Sequence, residues 1–583
     1  MAAEGAAPLH VRWLGRVGYR DAHALQTGLH ERSPDGHLLL LEHPHVYTLG
    51  LRADPANVLV PPASVGADLV RTNRGGDVTY HGPGQLVGYP ILTVPGVGGG
   101  GLPDTAAYVC SVEQLVIDTL ADLGVEAARL AGYPGVWVGV GTDRPRKICA
   151  IGVRLTRGRS MHGFALNVDP DLGMFGHIVP CGIADKAVTS LAAEGVDVTM
   201  RQVVDTLAAR AVARWGAGGS DRHDVVWHER PSDLAPFSRG SGPGEVPGRP
   251  TRGREAGPDH APDPGGTSVR LLGRLAEAGV HGGVAIGDRK PEWMRARLEH
   301  GPEVLRLKQT MRGLDLVTVC EEAGCPNLSD CWSDGTATFM ICGERCTRAC
   351  GFCLVDTRRP VPLDAGEPER VATAVERMGL SFAVVTMVAR DDLADGGAAH
   401  VAATIEAIRR RTPLVGVEVL ISDLRGDPAD LQVVLDARPD VVNHNIETVA
   451  RLQRAARPSA GYARSLALLA RAKAAGHTTK SSIIVGLGET FDEVVATMVD
   501  LRGVGVDIVT VGQYLRPTTH HLPVARWWTP DEFADLKRIG EHDLGLGHVE
   551  ASPLTRSSYH ARQAADAVVR SRSTAVHIGG TGS

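Results

Sequence analysis

From Ala235 to Gly266, 15 of 32 residues are glycine or proline, with no apolar period among them. Such a stretch reads as a flexible linker, and it divides the chain. Each part must then build its own core, and 583 residues are ample for two. The expected organisation is one domain over residues 1–230, a linker over 231–267 and a second domain over 268–583. A hydrophobic content of 43% excludes a wholly disordered chain. The net charge of −6, with mixed signs throughout, leaves no electrostatic footprint for nucleic acid and no polybasic run for a membrane surface. The opening residues lack the basic and apolar regions of a signal peptide. No apolar run approaches the ~18 residues of a membrane span. A cytoplasmic chain is expected.

The two parts differ in pattern. Before the linker, Leu38–Leu41 and Gln85–Val94 read as strands bounded by Gly and Pro. Asp104–Leu123 carries Val109, Val112, Leu115, Val116 and Leu120 at helical spacing, with Asp104 as N-cap. Strands with few helices predict an α+β domain. After the linker, strand-like runs Ala383–Val388, Val415–Ile421, Val441–Asn445, Ser481–Val485 and Ile508–Gly512 alternate with helical stretches such as Val401–Arg411 and Tyr462–Ala475. Repeated β then α predicts parallel strands with right-handed crossovers, a full or partial (β/α) barrel whose catalytic groups lie at the strand C-terminal ends.

Seven of the ten cysteines fall between Cys320 and Cys353. A dense cluster in a large chain without an export signal points to metal rather than to disulfides. Two triplets stand out, Cys320-x4-Cys325-x5-Cys331 and Cys346-x3-Cys350-x2-Cys353. Spacings of two to five let one loop wrap three corners of a [4Fe–4S] cube and leave the fourth iron open. Zinc sites usually pair C-x2-C knuckles or add histidines, and neither feature is present. A two-cluster ferredoxin would be far smaller. Iron–sulfur is the better reading.

The second triplet ahead of a (β/α) barrel resembles the signature of the radical S-adenosylmethionine (SAM) superfamily. In that superfamily the open iron holds SAM, which one electron cleaves to a 5′-deoxyadenosyl radical. Thr318–Asn327, Cys331-Trp332, Gly335–Met340, Cys346–Cys353, Asp391-Asp392-Leu393 with Asp395-Gly-Gly397, Asn443–Thr448, Gly512–Pro517 and Arg556-Ser557-Ser558-Tyr559 together resemble lipoyl synthase, from about Ser268 to Arg562. The resemblance implies two [4Fe–4S] clusters. Cys346, Cys350 and Cys353 would hold the SAM-cleaving cube. Cys320, Cys325 and Cys331 would hold an auxiliary cube that gives up its sulfides, with Ser558 (Ser557 as the alternative) on its fourth iron. It also implies a reducing partner of flavodoxin or ferredoxin type. The chain departs from the family at Met387 and Ala389, where Ser and Asp are usual, and Cys342 is extra. The simplest reading of Cys342 is a small buried residue.

In the first part the candidate chemistry is Cys181 with Lys147. A lysine desolvated beside a thiol could take its proton, and backbone N–H groups at the turn next to Gly182 could form an oxyanion site. Taken alone, a lone cysteine is more often an inert core residue and a lone lysine a solvated one. The surrounding Leu41–Gly50, Arg74–Gln85, Lys147-Ile148 with Ile151-Gly152, His162–Asn167 and Pro180-Cys-Gly182 resemble the lipoyl (octanoyl) transferase family, from about Val11 to Arg214. That family shares the fold of lipoate and biotin ligases. The resemblance implies a Cys181 thioester formed from octanoyl-acyl carrier protein, with Lys147 activating first Cys181 and then the incoming lysine of a lipoyl domain. Such domains belong to 2-oxoacid dehydrogenases and to the glycine cleavage H protein. Arg74, Gly75, Gly76, Asp77, Val78, Thr79, Tyr80 and His81, with Ala150, Ile151, Gly152, Gly163, Phe164 and Ala165, would line the acyl pocket. His81 and His162 would orient groups there. Rivals are an ATP-dependent lipoate ligase or a bare docking module for the first part, and a biotin synthase-like sulfur inserter for the second.

Overall fold

The computed structural model describes residues 7–96, 103–183, 185–227, 266–285, 287–295, 311, 313–314, 316–318, 327, 331 and 334–578. The expected linker, apart from its last two residues, lies outside them, as do Cys320, Cys325 and most of the glycine run after Gly96. The chain forms two compact units, Met1–Trp227 and His228–Ser583.

In the first unit the described elements run β1 (Leu9–Arg16), α1 (Tyr19–Arg32), β2 (Gly36–Glu42), β3 (Val46–Leu49), β4 (Asp68–Arg71), β5 (Val78–His81), β6 (Gln85–Ile91), α2 (Thr105–Asp122), β7 (Ala127–Leu130), β8 (Tyr133–Val138), β9 (Arg146–Thr156), β10 (Arg159–Asn167), β11 (Ala187–Val188), α3 (Met200–Trp215) and β12 (Ser220–Asp224). A mixed sheet has the order β12-β1-β2-β6-β10-β9-β8-β7, with β11 added beside β9. The α2 stripe meets α3 and the sheet in one core. There Val112, Leu115, Val116 and Leu120 pack with Val203, Leu207, Leu38, Leu40, Leu86, Phe164 and Leu166. The α2 cap forms as the sequence predicts, with Asp104 Oδ1 accepting from the Ala107 N–H at 2.9 Å. A second, three-stranded sheet, β4-β3-β5, buries Tyr47, Leu49, Val78 and Tyr80 against Met174, Phe175 and Ile178. This small sheet carries the Arg74–His81 segment toward the turn that bears Cys181.

The second unit runs α4 (Gly266–Glu277), β13 (Val317–Thr318), β14 (Thr336–Ile341), α5 (Glu367–Arg377), β15 (Phe382–Met387), α6 (Ala398–Arg411), β16 (Gly416–Leu420), α7 (Pro428–Asp436), β17 (Val441–Asn443), α8 (Gln453–Ala456), α9 (Tyr462–Ala474), β18 (Thr478–Val485), α10 (Phe491–Gly503), β19 (Ile508–Gln513), α11 (Pro530–Arg538), β20 (His548–Ser552) and α12 (Ala561–Ile578). Strand order follows chain order from β13 to β20, and every neighbouring pair from β14 onward is parallel. This is a partial (β/α) barrel.

Alternation along the strands sorts the side chains. Ala337, Phe339, Ile341, Val385, Val417, Val419 and Val442 join a core with Val371, Val375, Val401, Ile405, Ile408, Leu435 and Leu468 from the helices. The opposite face is polar, with Thr338, Thr386, Glu418, Asn443, Lys480 and Thr510 all buried. Lys480 Nζ pairs with Glu418 at 3.0 and 3.1 Å, both side chains fully enclosed. On that same face, Ala561, Ala564 and Val568 of α12 pack against Phe382, Val384, Val441 and Ile508 near the strand starts. The five strands read from the sequence form within a few residues of their expected bounds. β14 and β20 were not anticipated, because their inward residues, Thr336, Thr338, Glu550 and Ser552, interrupt the apolar run.

Candidate active sites

In the second unit the polar groups gather where the parallel strands end. β14 ends at Ile341 and the chain passes at once into Cys342 and the Cys346–Cys353 loop. That loop is tied on several sides. Cys346 N–H donates to the Asp356 carbonyl at 2.8 Å, Gly351 N–H to Ala456 at 2.8 Å, and His521 Nε2 meets the Cys353 carbonyl at 2.9 Å. Thr347 donates through its N–H and its hydroxyl to the Ala389 carbonyl, each at 3.0 Å. Arg348 makes a two-pronged pair with Asp391, both bonds 2.7 Å, and reaches Asp423 at 2.6 Å. Asp391 follows β15 and Asp423 follows β16, so one guanidinium fastens the loop to two strand ends. The Arg348 cation holds the enclosed Asp423 carboxyl down at about 2 against the opposing effect of burial.

Burial pushes the Cys346 and Cys353 thiols up and brings Cys350 to about 12. The Cys353 thiol also feels Cys350 and Cys346, while Arg457 and Arg348 oppose the shift at Cys350. Three neighbouring thiols whose protons burial holds in place become thiolates when bound metal replaces those protons. Among the described residues no three His, Cys, Asp or Glu side chains converge closely enough for a single ion. A cube asks for a different donor set, with each thiolate on its own iron. The residues present fit that group.

Of the first triplet, Cys331 is described. Its N–H donates to the Asn327 carbonyl at 3.0 Å, and Asn327 Nδ2 donates to the Leu554 carbonyl at 2.7 Å. That bond sets Asn327 beside the chain just before Ser557 and Ser558, both half-buried in the turn that precedes α12. The two departures also find places. Ala389 contributes its carbonyl, which any side chain leaves intact. A Cβ on Gly397 would sit 3.1 Å from Met387 Cε and 3.4 Å from Cys342 Sγ, so both side chains are packing atoms there. Cys342 is fully buried, with its N–H donated to Glu367 at 2.8 Å.

In the first unit, Lys147 is buried on β9 with Nζ 4.9 Å over the Trp137 ring. Cys181 is half-buried on a 3-10 turn, Pro180–Gly182, with φ +57°, followed by Gly182 at +68°. β11 links the two stretches: Val188 pairs with Lys147, and Thr189 N–H donates to the Lys147 carbonyl at 2.9 Å. The turn abuts Asp77, since a Cβ on Gly182 would lie 2.9 Å from Asp77 Oδ2. Asn57 steadies both partners, donating to Asp77 at 2.6 Å and accepting the Val179 N–H at 2.8 Å. The amides expected to serve an oxyanion are engaged: Gly182 N–H donates to Val179 and Ile183 N–H to Pro180.

The expected pocket residues divide by face. Ala150, Ile151 and Gly152 pair directly across β9–β10 with Ala165, Phe164 and Gly163. Phe164 and Ile151 turn into the helix-covered core. Ala150, Ala165, Gly152 and Gly163 therefore share the other face, small residues beside Arg74, whose Cδ would be 3.3 Å from a Cβ on Gly152. Arg74 itself is anchored on Thr48. Gly75 and Gly76 lie close beside Val153 and Arg74 respectively. Val78 and Tyr80 are spent in the small core. Thr79 and His81 alternate to the far side, where His81 Nδ1 meets Gln85 at 2.8 Å and His162 Nε2 meets Asn73 at 2.6 Å. Burial pushes His81 well below its ordinary value and His162 down to about 3. Trp137 and Asn57 carried no sequence signal of their own, while Arg348 and Asp391 were visible only as motif letters.

Three family models match separate stretches of the chain. Residues 18–211 match the family model of the lipoyl protein ligase A/B catalytic domain. Residues 283–325 match the N-terminal domain of lipoyl synthase, and residues 340–501 the radical SAM superfamily. The lipoyl synthase of Rubrobacter xylanophilus is 55% identical over 305 residues, 52% of this chain and 92% of that protein. The lipoyl synthase of Symbiobacterium thermophilum is 57% identical over 287 residues, 48% of this chain and 89% of that protein. Among solved structures, a bi-partite lipoate protein ligase from Thermoplasma acidophilum is 18% identical, covering 38% of this chain and 88% of its own, at a TM-score of 0.30. Methylornithine synthase is 13% identical, covering 47% and 72%, at a TM-score of 0.29. Overlaps that slight carry no argument.

Proposed function

We propose, from the premise that this chain belongs to the lipoyl synthase family and carries a lipoyl protein ligase A/B catalytic domain ahead of it, that one polypeptide performs both steps of lipoyl assembly. It is a bifunctional enzyme. Its first unit transfers octanoyl from octanoyl-acyl carrier protein to the lysine of a lipoyl domain through a Cys181 thioester. Its second unit then inserts sulfur at C6 and C8 of the octanoyl chain.

The observation that carries this reading is the Cys346–Cys353 loop, three half-buried cysteines hung from the end of the first parallel strand and clamped by Arg348 to the ends of the next two. Cys346, Cys350 and Cys353 would hold one [4Fe–4S] cube with SAM on its open iron. Cys320, Cys325, Cys331 and Ser558 would hold the second. Bound there, the two cubes and SAM supply radical hydrogen abstraction and the sulfur itself. The chain's own residues fix the loop, through Arg348 on Asp391 and Asp423 and Thr347 on Ala389. The Asn327–Leu554 bond, between Cys331's neighbourhood and the chain before Ser558, supports the assignment of Ser558 to the second cube. In the first unit, Lys147 takes the Cys181 proton, and the small residues of β9 and β10 leave room for an eight-carbon chain beside Arg74.

Anaerobic reconstitution should give about eight irons per chain. The loaded chain should convert an octanoylated lipoyl domain to the lipoylated form with SAM and a flavodoxin- or ferredoxin-type reductant. About four irons, or SAM never cleaved with both cubes in place, defeats the proposal. The ligase rival needs no essential thiol, so undiminished octanoyl transfer by Cys181→Ser favours it instead. The linker can also raise the effective concentration of the carrier for the second step. Equal turnover by the fusion and by an equimolar mixture of its halves removes that element.

A further inference from the structure

We propose that Trp137 is the positioning residue for Lys147. The inference rests on the Lys147–Cys181 reading above and concerns how the lysine is set for its task.

Three observations place the ring there. Trp137 and Lys147 are direct cross-strand partners, and the register around them is irregular. Val136 pairs with Cys149 and Trp137 with Lys147, so Ile148 is an extra residue on β9. A bulge of this kind re-aims the next side chain, and here it turns Lys147 onto the ring face. On the other side, Gly135 has φ +112°, and a Cβ there would meet the Cys149 carbonyl at 2.5 Å and Lys147 Cε at 3.6 Å. Glycine lets the strands close while the lysine stem lies alongside. Finally, Trp137 is almost fully buried and held by its own indole N–H on the Tyr133 carbonyl at 3.1 Å.

The ring is also the lysine's counter-charge. Among the described residues no carboxylate lies within ion-pair distance of Lys147 Nζ. A π-face favours the ammonium over the amine, and more so where water is excluded. Arg526 lies 4.0 Å over Trp528 as well, but with its side chain 41% exposed it gains less. The pattern continues outward. Tyr133 meets Trp137 edge-on at 5.9 Å, and Lys186, five residues beyond Cys181, places its Nζ 5.4 Å over Tyr133.

The consequence is chemical. The proton passes from Cys181 Sγ to Lys147 Nζ, and the thiolate attacks the acyl thioester carbon. The bond from that carbon to the carrier's sulfur then breaks, and the leaving carrier thiolate takes the proton from Lys147 Nζ. The ring stabilises the state in which the lysine holds that proton, so it enlarges the reactive thiolate fraction.

The test is the pH profile of Cys181 alkylation by iodoacetamide in the full chain, followed at that residue by mass spectrometry, together with kcat and KM for octanoyl transfer. Trp137→Leu should move the alkylation profile to higher pH by about half a unit to one unit. Alkylation and kcat at pH 7 should then fall about three- to tenfold, with KM for the acyl donor unchanged. Trp137→Phe should fall between. Replacing all tryptophans by mono- and difluorotryptophan weakens the ring face without changing its shape. It should give a graded shift in the native chain and none in the Trp137→Phe background. That series decides the matter if Trp137→Leu does not fold. An unmoved profile, or a gradient that survives Trp137→Phe, overturns the inference. Lys147→Ala separates the layers. If it leaves alkylation and transfer intact, the Lys147–Cys181 reading fails and takes this inference with it. If it abolishes transfer while the ring variants change nothing, the inference about Trp137 alone fails.

Discussion

Cys181 sits on a turn braced by Asn57 and Asp77, each more than a hundred residues before it, and the chain beyond it pairs with the Lys147 strand through β11. Cys346, Cys350 and Cys353 share one loop that leaves one strand. The first arrangement needs the fold to be complete before the nucleophile is set. The second keeps its three thiols within one short loop, although Ala389, Asp391, Asp423, Ala456 and His521 tie that loop from remote segments. The difference teaches where each chemistry can tolerate change. A nucleophile is a single atom that must meet a base at one distance. Three thiolates around a cube share the bond energy among several contacts, so their loop can be a local device.

The largest expected effects break the two units apart. Cys350→Ala should lower reconstituted iron from about eight to about four per chain and end SAM cleavage. Octanoyl transfer by the same protein should persist. Cys181→Ser should do the reverse, keeping the iron and lowering transfer by at least about 10³-fold. Iron analysis and acyl transfer measured on both variants check this. A substitution that silences both activities would show that the units depend on one another.

The clamp gives the next effect, and the first unit offers its contrast. Arg348→Gln leaves Asp423, whose side chain has 0% exposure, without its close partner. Breaking a buried pair costs about 3–5 kcal/mol. Arg146 and Glu194 also make a short pair, at 2.8 Å, but at 36% and 17% exposure. Arg146→Gln should therefore cost under about 1 kcal/mol. Denaturant unfolding of the two variants compares them, and iron uptake should suffer only in Arg348→Gln. Equal losses would mean that the clamp is ordinary surface chemistry.

Legibility in the sequence follows the same division. The thiol triplet was readable because a cube demands its ligands at short spacing, and the outward faces of β15 to β19 because helices cover them with apolar side chains. The strand read at Ser481–Val485 starts earlier, at Thr478, and Lys480 within it, enclosed and paired with Glu418, left no apolar signature because the barrel's inner face is polar. In the first unit the glycines of β9 and β10 were flagged as pocket residues, but the sequence could not assign faces. The cross-strand pairing does so, sending Phe164 and Ile151 inward and leaving Ala150, Gly152, Gly163 and Ala165 on the other side. Trp137, Asn57 and Asp423 act through partners remote in sequence or shifted by a bulge. Only pairing reveals them.

Acid should separate the units more gently. Burial holds His43 at about 4, His162 at about 3, and His37 and His81 well below the ordinary value in the first unit. In the barrel His444 is held at about 4. A histidine kept neutral by the fold contributes stability that is present above its unfolded value of 6.5 and lost as pH falls toward the folded value. Hydrogen exchange on the full chain should show α1 losing protection faster than α9 between pH 7 and pH 5. His10 acts with the opposite sign. Its bonds to Asp221 and Asp35 overcome burial and raise it to about 9, so its contribution is complete below 6.5 and lost as pH rises through 9. Equal acid sensitivity of α1 and α9 would mean that the buried histidines of the first unit are not what limits it.

The smallest effect asks whether the contrast reaches the helices at all. Asp104 caps α2 by accepting the Ala107 N–H, and Thr490 caps α10 in a reciprocal box with Glu493. Both satisfy orphan donors at a helix start, and the gain depends on that local geometry rather than on the sheet beneath. Asp104→Ala and Thr490→Ala should each cost about 1 kcal/mol in their own unit, read from hydrogen exchange along the capped helix. Near-equal values would confine the difference between the units to their reactive loops. A cost several times larger at Asp104 would instead mean that α2, whose core face backs Phe164 and Ile148, carries strain from the site into the helix. The braced turn of Cys181 would then draw on the whole unit for its shape.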